Sequence, residues 1–483
     1  MKAALLTAAM VSVLSSSLFA TQPAKADANT WVAVTEGSSK KIKVYDPVVY
    51  NWDTRAAQKW EWTPNSNAGY SSAEIAAWGG GSDAKLRESS FWGGQIMATV
   101  SGSGLATIVS YPSGKELWSV VQGGSGTVNL HSIEVLPNGN CVTVGSVEGK
   151  VRLYTSSQGN TNSIVLADLP GAHGVHWDNT RGVLWAIGDT TLVGIKIEGT
   201  AAAPTYSVYR TVTIPLSDGQ IPYGHDLWPV YGDTNRLWVA VNWRVWQYNI
   251  GADSWESSYA GSDVLHNSGK MIKSVGNVPS GQVVYTFPET SWVTHTVSFT
   301  NPTATRPITG AAIYKARPWI PGYDGTTGMA QDNLALNSSP STSSSYETAV
   351  WGKAKAVDGQ TGSVAGSYGY SSGIGKTTNH TEWYATGFPN PQNFNTVVIH
   401  PRSDSGNAGA GFPIDFKIQV WNGSAWLDRV TVTGYPNPGS APQTFSLGTT
   451  DWATAIRIYA TNLPKVGPTD YLMQFAEVEV LNQ

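Results

Sequence analysis

The sequence predicts an all-β protein made of many short strands. Only 13% of its 483 residues are charged, roughly half the usual share, whereas glycine (51 residues) and tryptophan (21 residues) are abundant. Glycine-rich turns separate short segments in which apolar and polar residues alternate, and this pattern is typical of strands rather than helices. A unit that recurs along the first two thirds of the chain gives the third observation.

The recurring unit begins with a histidine and continues as a short extended segment, a polar turn and two alternating strands. It starts at His131 ("HSIEVLPNGN"), His173 ("HGVHWDNTRG") and His225 ("HDLWPVYGDTN"), and more loosely at His266 ("HNSGK"). Repeats of about 40 to 50 residues with several strands each are the signature of a β-propeller. A β-sandwich with long loops is the rival interpretation, but it does not explain the recurring histidine register.

The propeller is expected to span residues 30–320 and to have six or seven blades. A segment from Ser89 fits the same template without the histidine, and strands near Trp31 and Tyr314 flank the repeats. The N-terminal strand would complete the last blade, because closing the ring removes exposed sheet edges.

The first 26 residues have the features of a secretory signal peptide. A lysine precedes an apolar stretch from Ala3 to Ala20, and "AKA" at 24–26 provides a small-residue cleavage site. A transmembrane anchor is the alternative, but the apolar part is short and rich in Ser and Thr. We therefore expect a secreted, extracellular monomer with no membrane span, in which the single Cys141 is a buried apolar residue.

Nucleic acid is not an expected partner, because the net charge is −4 and no long basic run is present.

The register of the repeats is lost at "PGYDGTTGMAQ", residues 321–331, which has the composition of a linker. The remainder, residues 332–483, alternates strongly in "NTVVIHPR" and "DFKIQVWNGSAW" and is predicted to be an antiparallel sandwich.

This C-terminal unit resembles discoidin-type (factor V/VIII C-type) domains and, within them, family 32 carbohydrate-binding modules. The resemblance rests on "NLALNSSPSTSSS", "KAKAVDGQ", "TEWYATGF", "NTVVIHPR", "FKIQVWNGSAW" and "FAEVEV", in the expected order. It implies a jelly-roll sandwich that binds carbohydrate and holds a structural calcium ion at Asp358 and Glu477. Without the resemblance, Asp358 is a simple Asp-Gly turn residue and Glu477 a solvated strand residue.

The N-terminal region resembles secreted bacterial β-propeller proteins. In addition, "HSIEVLPNGN" resembles a blade motif of arylsulfotransferases, whose propellers bring histidines to the central channel. That second resemblance covers one short motif per blade.

The blade-start histidines His131, His173, His225 and His266 are predicted to converge on one mouth of the propeller channel. Imidazoles can bind a divalent metal or exchange protons near neutral pH. The structural alternative is that each histidine bonds to the backbone of a neighbouring blade. His176, three residues after His173, is expected to be structural.

Two cations are candidates for the same mouth. Arg87 occupies the blade start that lacks a histidine, and Lys270 follows His266 closely. Either side chain can pair with a uronate carboxylate or a sulfate, although an ordinary salt bridge between blades is the alternative.

Sugar binding in the C-terminal unit requires an aromatic ring to stack on the sugar and polar groups to bond its hydroxyls. Candidates in or beside loops are Trp351, Tyr368, Tyr370, His380 and Arg402, whereas Trp383 and Trp421 are expected in the core.

Together these patterns predict a secreted protein that acts on extracellular polysaccharide. If it is an enzyme, a lyase on glycan containing uronic acid fits the histidines and cations best. The alternatives are a non-catalytic glycan-binding or adhesion protein, and an arylsulfotransferase-like or hydrolytic enzyme.

Overall fold

The computed structural model describes residues 30–216, 219–267, 269–323 and 329–483. The predicted signal peptide and residues 324–328 of the predicted linker lie outside the described residues. Within these ranges the regular structure is nearly all β, and the two α-helices, α1 (Ser72–Ala76) and α2 (Ser262–Leu265), are short. No helix in these ranges is long and apolar enough to cross a membrane.

The described N-terminal region forms six four-stranded antiparallel sheets, and these are the predicted propeller blades. The strands of the first three sheets are β1 (Val32–Glu36), β2 (Lys41–Tyr45) and β3 (Gln58–Trp62); β4 (Asp83–Ser89), β5 (Gly94–Val100), β6 (Leu105–Ser110) and β7 (Glu116–Val121); and β8 (Leu130–Val135), β9 (Cys141–Gly145), β10 (Lys150–Tyr154) and β11 (Ser163–Asp168).

The other three sheets complete the ring. Their strands are β12 (Gly174–Asp178), β13 (Val183–Ile187), β14 (Thr191–Gly199) and β15 (Pro204–Thr213); β16 (Gly224–Val230), β17 (Asp233–Val241), β18 (Arg244–Asn249) and β19 (Ser254–Glu256); and β20 (Ser274–Asn277), β21 (Val283–Thr286), β22 (Thr296–Thr300) and β23 (Ala304–Pro307), followed by β24 (Ile313–Pro318).

The ring closes through the two ends of the propeller sequence. Strand β24 pairs with β1, with Ala33 opposite Arg317, so that one blade has the order β24-β1-β2-β3. The innermost strands β4, β8, β12, β16, β20 and β24 contact one another in that circular order. The expectation that the N-terminal strand completes the last blade is confirmed, and the described residues contain six blades rather than seven.

The turns follow the predicted glycine signals. Gly139 in "PNGN" and Gly182 in "DNTRG" have φ angles of 83° and 64°, a backbone conformation that residues with a Cβ rarely adopt. Each turn reverses the chain after an innermost strand, between β8 and β9 and between β12 and β13. Cys141 is buried at the start of β9, and burial raises the pKa of its thiol to about 12.

The C-terminal region is a β-sandwich. Its strands are β25 (Ser339–Thr342), β26 (Tyr370–Ser371), β27 (Glu382–His400), β28 (Asp415–Trp421), β29 (Trp426–Val432), β30 (Gln443–Asn462), β31 (Lys465–Val466), β32 (Asp470–Tyr471), β33 (Gln474–Phe475) and β34 (Glu477–Leu481). The main sheet has the order β25-β27-β30-β28-β29, and β34 pairs with the second half of β27.

The sandwich core is built from every second residue of the long strands. Tyr384, Ile418 and Ile456 are fully buried in it. Trp383 and Trp421, which were expected in this core, are only half-buried. The prediction failed because strand alternation separates two faces without saying which faces inward, and both tryptophans lie on the outer face.

The propeller and the sandwich share a continuous packing region beside β3. Buried apolar residues of both, including Trp60 and Phe394, belong to one hydrophobic cluster. The backbone of Glu61 exchanges two hydrogen bonds with the Gln392 amide, at 2.9 and 3.2 Å. The C-terminal unit is therefore held directly against an outer propeller strand.

Candidate functional site

Three of the four predicted histidines meet where the innermost strands begin. His131 is the second residue of β8, His173 immediately precedes β12, and His225 is the second residue of β16. The rings of His131 and His173 stack with centroids 4.1 Å apart, and His173 meets His225 edge-on at 5.4 Å. We call this end of the channel the histidine mouth.

His266 does not belong to the histidine mouth. It caps α2, where its Nδ1 donates to the Val245 carbonyl at 2.8 Å and its ring packs edge-on against Trp246. The sequence alignment placed it wrongly because α2 is inserted before this blade. The residue that precedes the innermost strand β20 is Lys273.

Two residues that the sequence analysis missed complete the cluster. Lys273 Nζ lies 3.0 Å from Nδ1 of His225, whose Nε2 bonds to Oδ1 of Asn242. Tyr314, the second residue of β24, places its hydroxyl 3.2 Å from Nδ1 of His131. Both lie at the blade-start register, so aligning the blades by strand rather than by histidine would have found them.

Burial controls the protonation of these groups. Desolvation lowers the pKa of His173 to about 4 and holds the pKa values of His131 and His225 well below their usual range; nearby cationic groups add to the effect. Burial also lowers the pKa of Lys273 to about 7. Near neutral pH the mouth therefore contains three neutral imidazoles and one amine close to its titration point.

Hydrogen bonds fix the imidazole tautomers. Nδ1 of His173 donates to the Gly171 carbonyl at 2.6 Å, because a carbonyl can only accept, and this leaves Nε2 with a free lone pair. In His225, Nδ1 accepts from protonated Lys273, so Nε2 carries the hydrogen and donates to Asn242. Nε2 of His173 can therefore accept a proton, and His225 contacts the Lys273 amine.

Aromatic residues surround the histidine mouth. Trp292 is 57% exposed and its ring centroid lies 4.5 Å from Nζ of Lys273. Tyr223 immediately precedes β16, and Trp243 is in the turn next to Asn242; they are 42% and 44% exposed. Exposed rings beside hydrogen-bonding groups are the usual composition of a sugar-binding surface.

Below the mouth the channel is filled by a buried ion network. Arg317 donates from Nε to Asp83 at 2.9 Å and from both terminal nitrogens to Asp226, which also binds Lys315 at 2.9 Å. The Arg317 guanidinium lies 4.2 Å from the centroid of the Trp228 ring. All five side chains are at most 1% exposed, so this network is structural.

Arg87 lies at the opposite end of the channel and not at the histidine mouth. Its guanidinium forms a bidentate pair with Glu134 at 2.7 and 2.8 Å, at the edge of a cavity of 260 Å³ that His176 and Tyr323 also line. Arg87 is near the end of β4, whereas the histidines are at the strand starts, so the predicted register was wrong for it. This agrees with the salt-bridge alternative.

Lys270 also has neighbours other than the histidines. Its Nζ lies 4.4 Å from the centroid of the Phe287 ring, in the connection between α2 and β20. Lys270 was predicted at the mouth because it follows His266 closely in the sequence. Its prediction therefore failed for the same reason as that of His266. Lys273, three residues later, is the lysine at the mouth.

In the sandwich, three of the five predicted sugar-binding residues form one group. Trp351 meets Tyr368 edge-on with centroids 5.6 Å apart, and the Arg402 guanidinium lies 5.2 Å from the Trp351 ring. Asp404 and Gln474 hold Arg402 in place at 2.8 and 3.1 Å. We call Trp351, Tyr368 and Arg402 the loop trio.

The other two candidates have different environments. Tyr370 is fully buried among core aromatic residues and donates its hydroxyl hydrogen to the Ser344 carbonyl at 2.8 Å. It cannot contact a sugar, because β26 turns it inward. His380 bonds through Nε2 to Glu382 at 2.8 Å.

Asp358 and Glu477 lie together, as the resemblance implied. Oε1 of Glu477 accepts from the Gly359 amide at 3.0 Å, but its buried Oε2 has no partner. Burial and then the charge of Asp358 raise the pKa of Glu477 to about 8. An unpaired buried carboxylate oxygen beside a second carboxylate fits a divalent cation with oxygen ligands.

No group of three or more His, Cys, Asp and Glu residues in the described ranges is arranged to hold a metal ion. The divalent metal expected at the propeller mouth stays a prediction. The structural calcium ion also stays a prediction, for which Asp358 and Glu477 supply two ligands.

The family comparison decides the identity of the larger region. A family of unknown function (DUF6528) matches residues 23–330, more than half of the chain. The chain belongs to the DUF6528 family. In this DUF6528 protein, residues 340–474 also match the F5/8 type C domain, so the predicted discoidin domain is confirmed.

Solved structures similar to this DUF6528 protein include three sugar-binding modules. A chitosan-binding module from Paenibacillus sp. IK-5 is 22% identical, with a TM-score of 0.24 over 31% of this chain and 98% of the module. A C. perfringens family 32 CBM solved with galactose is 19% identical, with a TM-score of 0.25 over 30% of this chain and 93% of the module. A Streptococcus pneumoniae fucose binding module is 17% identical, with a TM-score of 0.25 over 32% of this chain and 97% of the module. A search of curated proteins finds no match.

Proposed function

We propose that this protein is a secreted glycan-active enzyme, a polysaccharide lyase, that cleaves glycan containing uronic acid at the histidine mouth. The observation that carries the proposal is the contact of a neutral His131–His173 pair with Tyr314 on one side and His225–Lys273 on the other. A base, an acid and a cation are the three groups that a β-elimination requires.

Lys273 recognises the substrate carboxylate. Protonated Lys273 pairs with the uronate, and His225, which is itself bonded to Asn242, holds the amine in position. As the proton at C5 leaves, negative charge grows on this carboxylate, and a cation in a desolvated site stabilises it strongly. Sugar rings of the same chain stack on Trp292 and on the other exposed aromatic residues of the rim.

His173 and Tyr314 move the protons. Nε2 of His173 takes the C5 proton, the electron pair forms the C4=C5 double bond, and the C4–O bond breaks. The leaving oxygen takes a proton from Tyr314, whose pKa is raised by burial so that its phenol stays protonated at neutral pH. No water enters the products, which distinguishes this reaction from hydrolysis.

The discoidin domain anchors the enzyme to glycan. The loop trio supplies two half-buried aromatic rings and a fixed guanidinium, which can contact the apolar face and the hydroxyl groups of a sugar. Calcium at Asp358 and Glu477 would stabilise the nearby loop by pairing with the unbonded oxygen of Glu477. Secretion through the signal at residues 1–26 would bring both sites to extracellular polysaccharide.

The test is a screen of the protein against uronate-containing and neutral polysaccharides, with and without EDTA. We expect the ultraviolet absorbance of the new unsaturated uronate to rise in proportion to the number of bonds cleaved. New reducing ends without that absorbance would point to a hydrolase. Glycan binding without any cleavage would overturn the lyase and favour the non-catalytic adhesion protein.

A further inference from the structure

The outer face of the sandwich sheet carries a row of aromatic residues around an arginine. Trp421 of β28 lies opposite Trp426 of β29, and their centroids are 5.4 Å apart. Trp383 of β27 lies opposite Tyr459 of β30. These side chains and Arg457 are each half-buried, and on β27 and β30 they alternate with buried core residues. We call these five residues the sheet platform.

Arg457 is at the centre of the sheet platform. Its guanidinium carbon lies 4.5 Å from the Trp426 ring centroid and 4.8 Å from that of Tyr459. Gln419, its cross-strand neighbour on β28, accepts from Nε at 2.8 Å. The side chain is therefore fixed between two rings, while its terminal nitrogens remain as donors.

Arg457 forms no direct salt bridge, although the Asp428 carboxylate, which bonds to Lys417, interacts with its charge electrostatically. In the described ranges no ion pair joins Arg457 to a carboxylate, whereas neighbouring cations are paired. Lys417 contacts Asp428 at 2.6 Å, and Arg429 contacts Asp451 at 2.6 Å. Among these three cations of the described ranges, Arg457 is the one whose nearby carboxylate, Asp428, is bonded to another side chain instead.

We propose that the sheet platform is a second glycan-binding site of the discoidin domain, and that it binds an anionic polysaccharide strand. Sugar rings stack on Trp421 and Trp426, and the carboxylate or sulfate of the chain pairs with Arg457. Because the platform extends across four neighbouring strands, it suits a strand of several sugar units. The site is built from other residues than the loop trio and does not depend on the proposed elimination.

The test measures binding of the full chain to three polymers by affinity electrophoresis. Dextran sulfate and neutral dextran differ only in their sulfate groups, and polygalacturonate supplies carboxylates. R457Q and W426A are compared with the wild type and with the loop-trio variant W351A. R429Q is the matched control, because it removes an arginine on β29 that Asp451 already neutralises.

R457Q is expected to lose about tenfold or more of the affinity for anionic polymer, since a charge-assisted hydrogen bond is lost, and to leave binding to dextran unchanged. W426A should weaken anionic binding also, while R429Q and W351A should retain the difference between dextran sulfate and dextran. A loss with dextran sulfate alone assigns sulfate, and one with polygalacturonate alone assigns carboxylate. Wild-type affinity of folded R457Q for both anionic polymers would overturn the proposal. Turnover is not measured, and dextran sulfate contains no uronate, so the result with dextran sulfate does not depend on the proposed elimination.

Discussion

The imidazole rings of His131 and His173 stack at a centroid distance of 4.1 Å, although the two residues belong to different blades. Two protonated rings at this distance would repel each other strongly. Burial and mutual proximity therefore keep the pair neutral, and the Gly171 carbonyl fixes the lone pair of His173 on Nε2. Through this contact, two histidines at equivalent positions of the repeat form a neutral pair in which His173 is the candidate base.

The pH dependence of cleavage should be bell-shaped. Below about pH 4 His173 becomes protonated and can no longer accept a proton, and above about pH 7 Lys273 loses the charge that pairs with the substrate. We expect kcat/KM, which reports groups of the free enzyme, to fall on both sides of this window. Initial rates across the pH range at low substrate concentration provide the measurement.

Replacing Lys273 with arginine distinguishes the acid limb from the alkaline limb of the pH profile of kcat/KM. Arginine remains protonated far above pH 7, so K273R should retain the acid limb and lose the alkaline one. K273M should raise KM and lower kcat below about pH 7, where wild-type Lys273 is charged, and should differ less from the wild type above that pH. An alkaline limb that stays in place in K273R would assign that limb to another group.

Breaking the ion network below the mouth should strongly destabilise the fold, because it leaves a buried charge without its partner. D226N removes a buried charge that faces Arg317 and Lys315, so that Lys315 loses its direct carboxylate partner and Arg317 retains only Asp83. We expect a loss of about 3–5 kcal/mol in the free energy of unfolding, measured by urea denaturation. A loss below 1 kcal/mol would mean that the cations find other partners.

Calcium should stabilise the discoidin domain through Glu477. Adding calcium to EDTA-treated protein is expected to raise the Tm of the wild type, because binding to the folded state alone shifts the unfolding equilibrium. E477Q retains the size of the side chain but removes its charge, so its Tm should respond weakly. E479Q is the matched control on the same strand, and an equal calcium response in E477Q would exclude Glu477 as a ligand.

The sequence predicted most of the fold because propeller blades repeat a local pattern. Strand alternation and glycine turns identified the blades, and the histidine register identified His131, His173 and His225. The register failed at His266, where α2 is inserted, and it overlooked Tyr314 because that blade starts with a different residue type. Alternation also could not tell which face of β27 and β28 is buried.

The ion network could not be predicted from any local pattern. Asp83, Asp226 and Arg317 come from three blades separated widely in sequence, and only ring closure brings them together. Likewise, the pKa shifts at the mouth depend on burial by several blades at once. The sequence shows which residue types are present, but only closure of the ring brings the members of the network close together.

The most direct test of the account compares H173A with H266Q in the absorbance assay for unsaturated uronate. The sequence placed both histidines in one register, but only His173 lies at the mouth, and glutamine at 266 retains a hydrogen-bond donor toward Val245. The account predicts that H173A loses about 10²–10⁴-fold of the cleavage rate at an unchanged Tm, whereas H266Q cleaves like the wild type. Cleavage by folded H173A at the wild-type rate would contradict it.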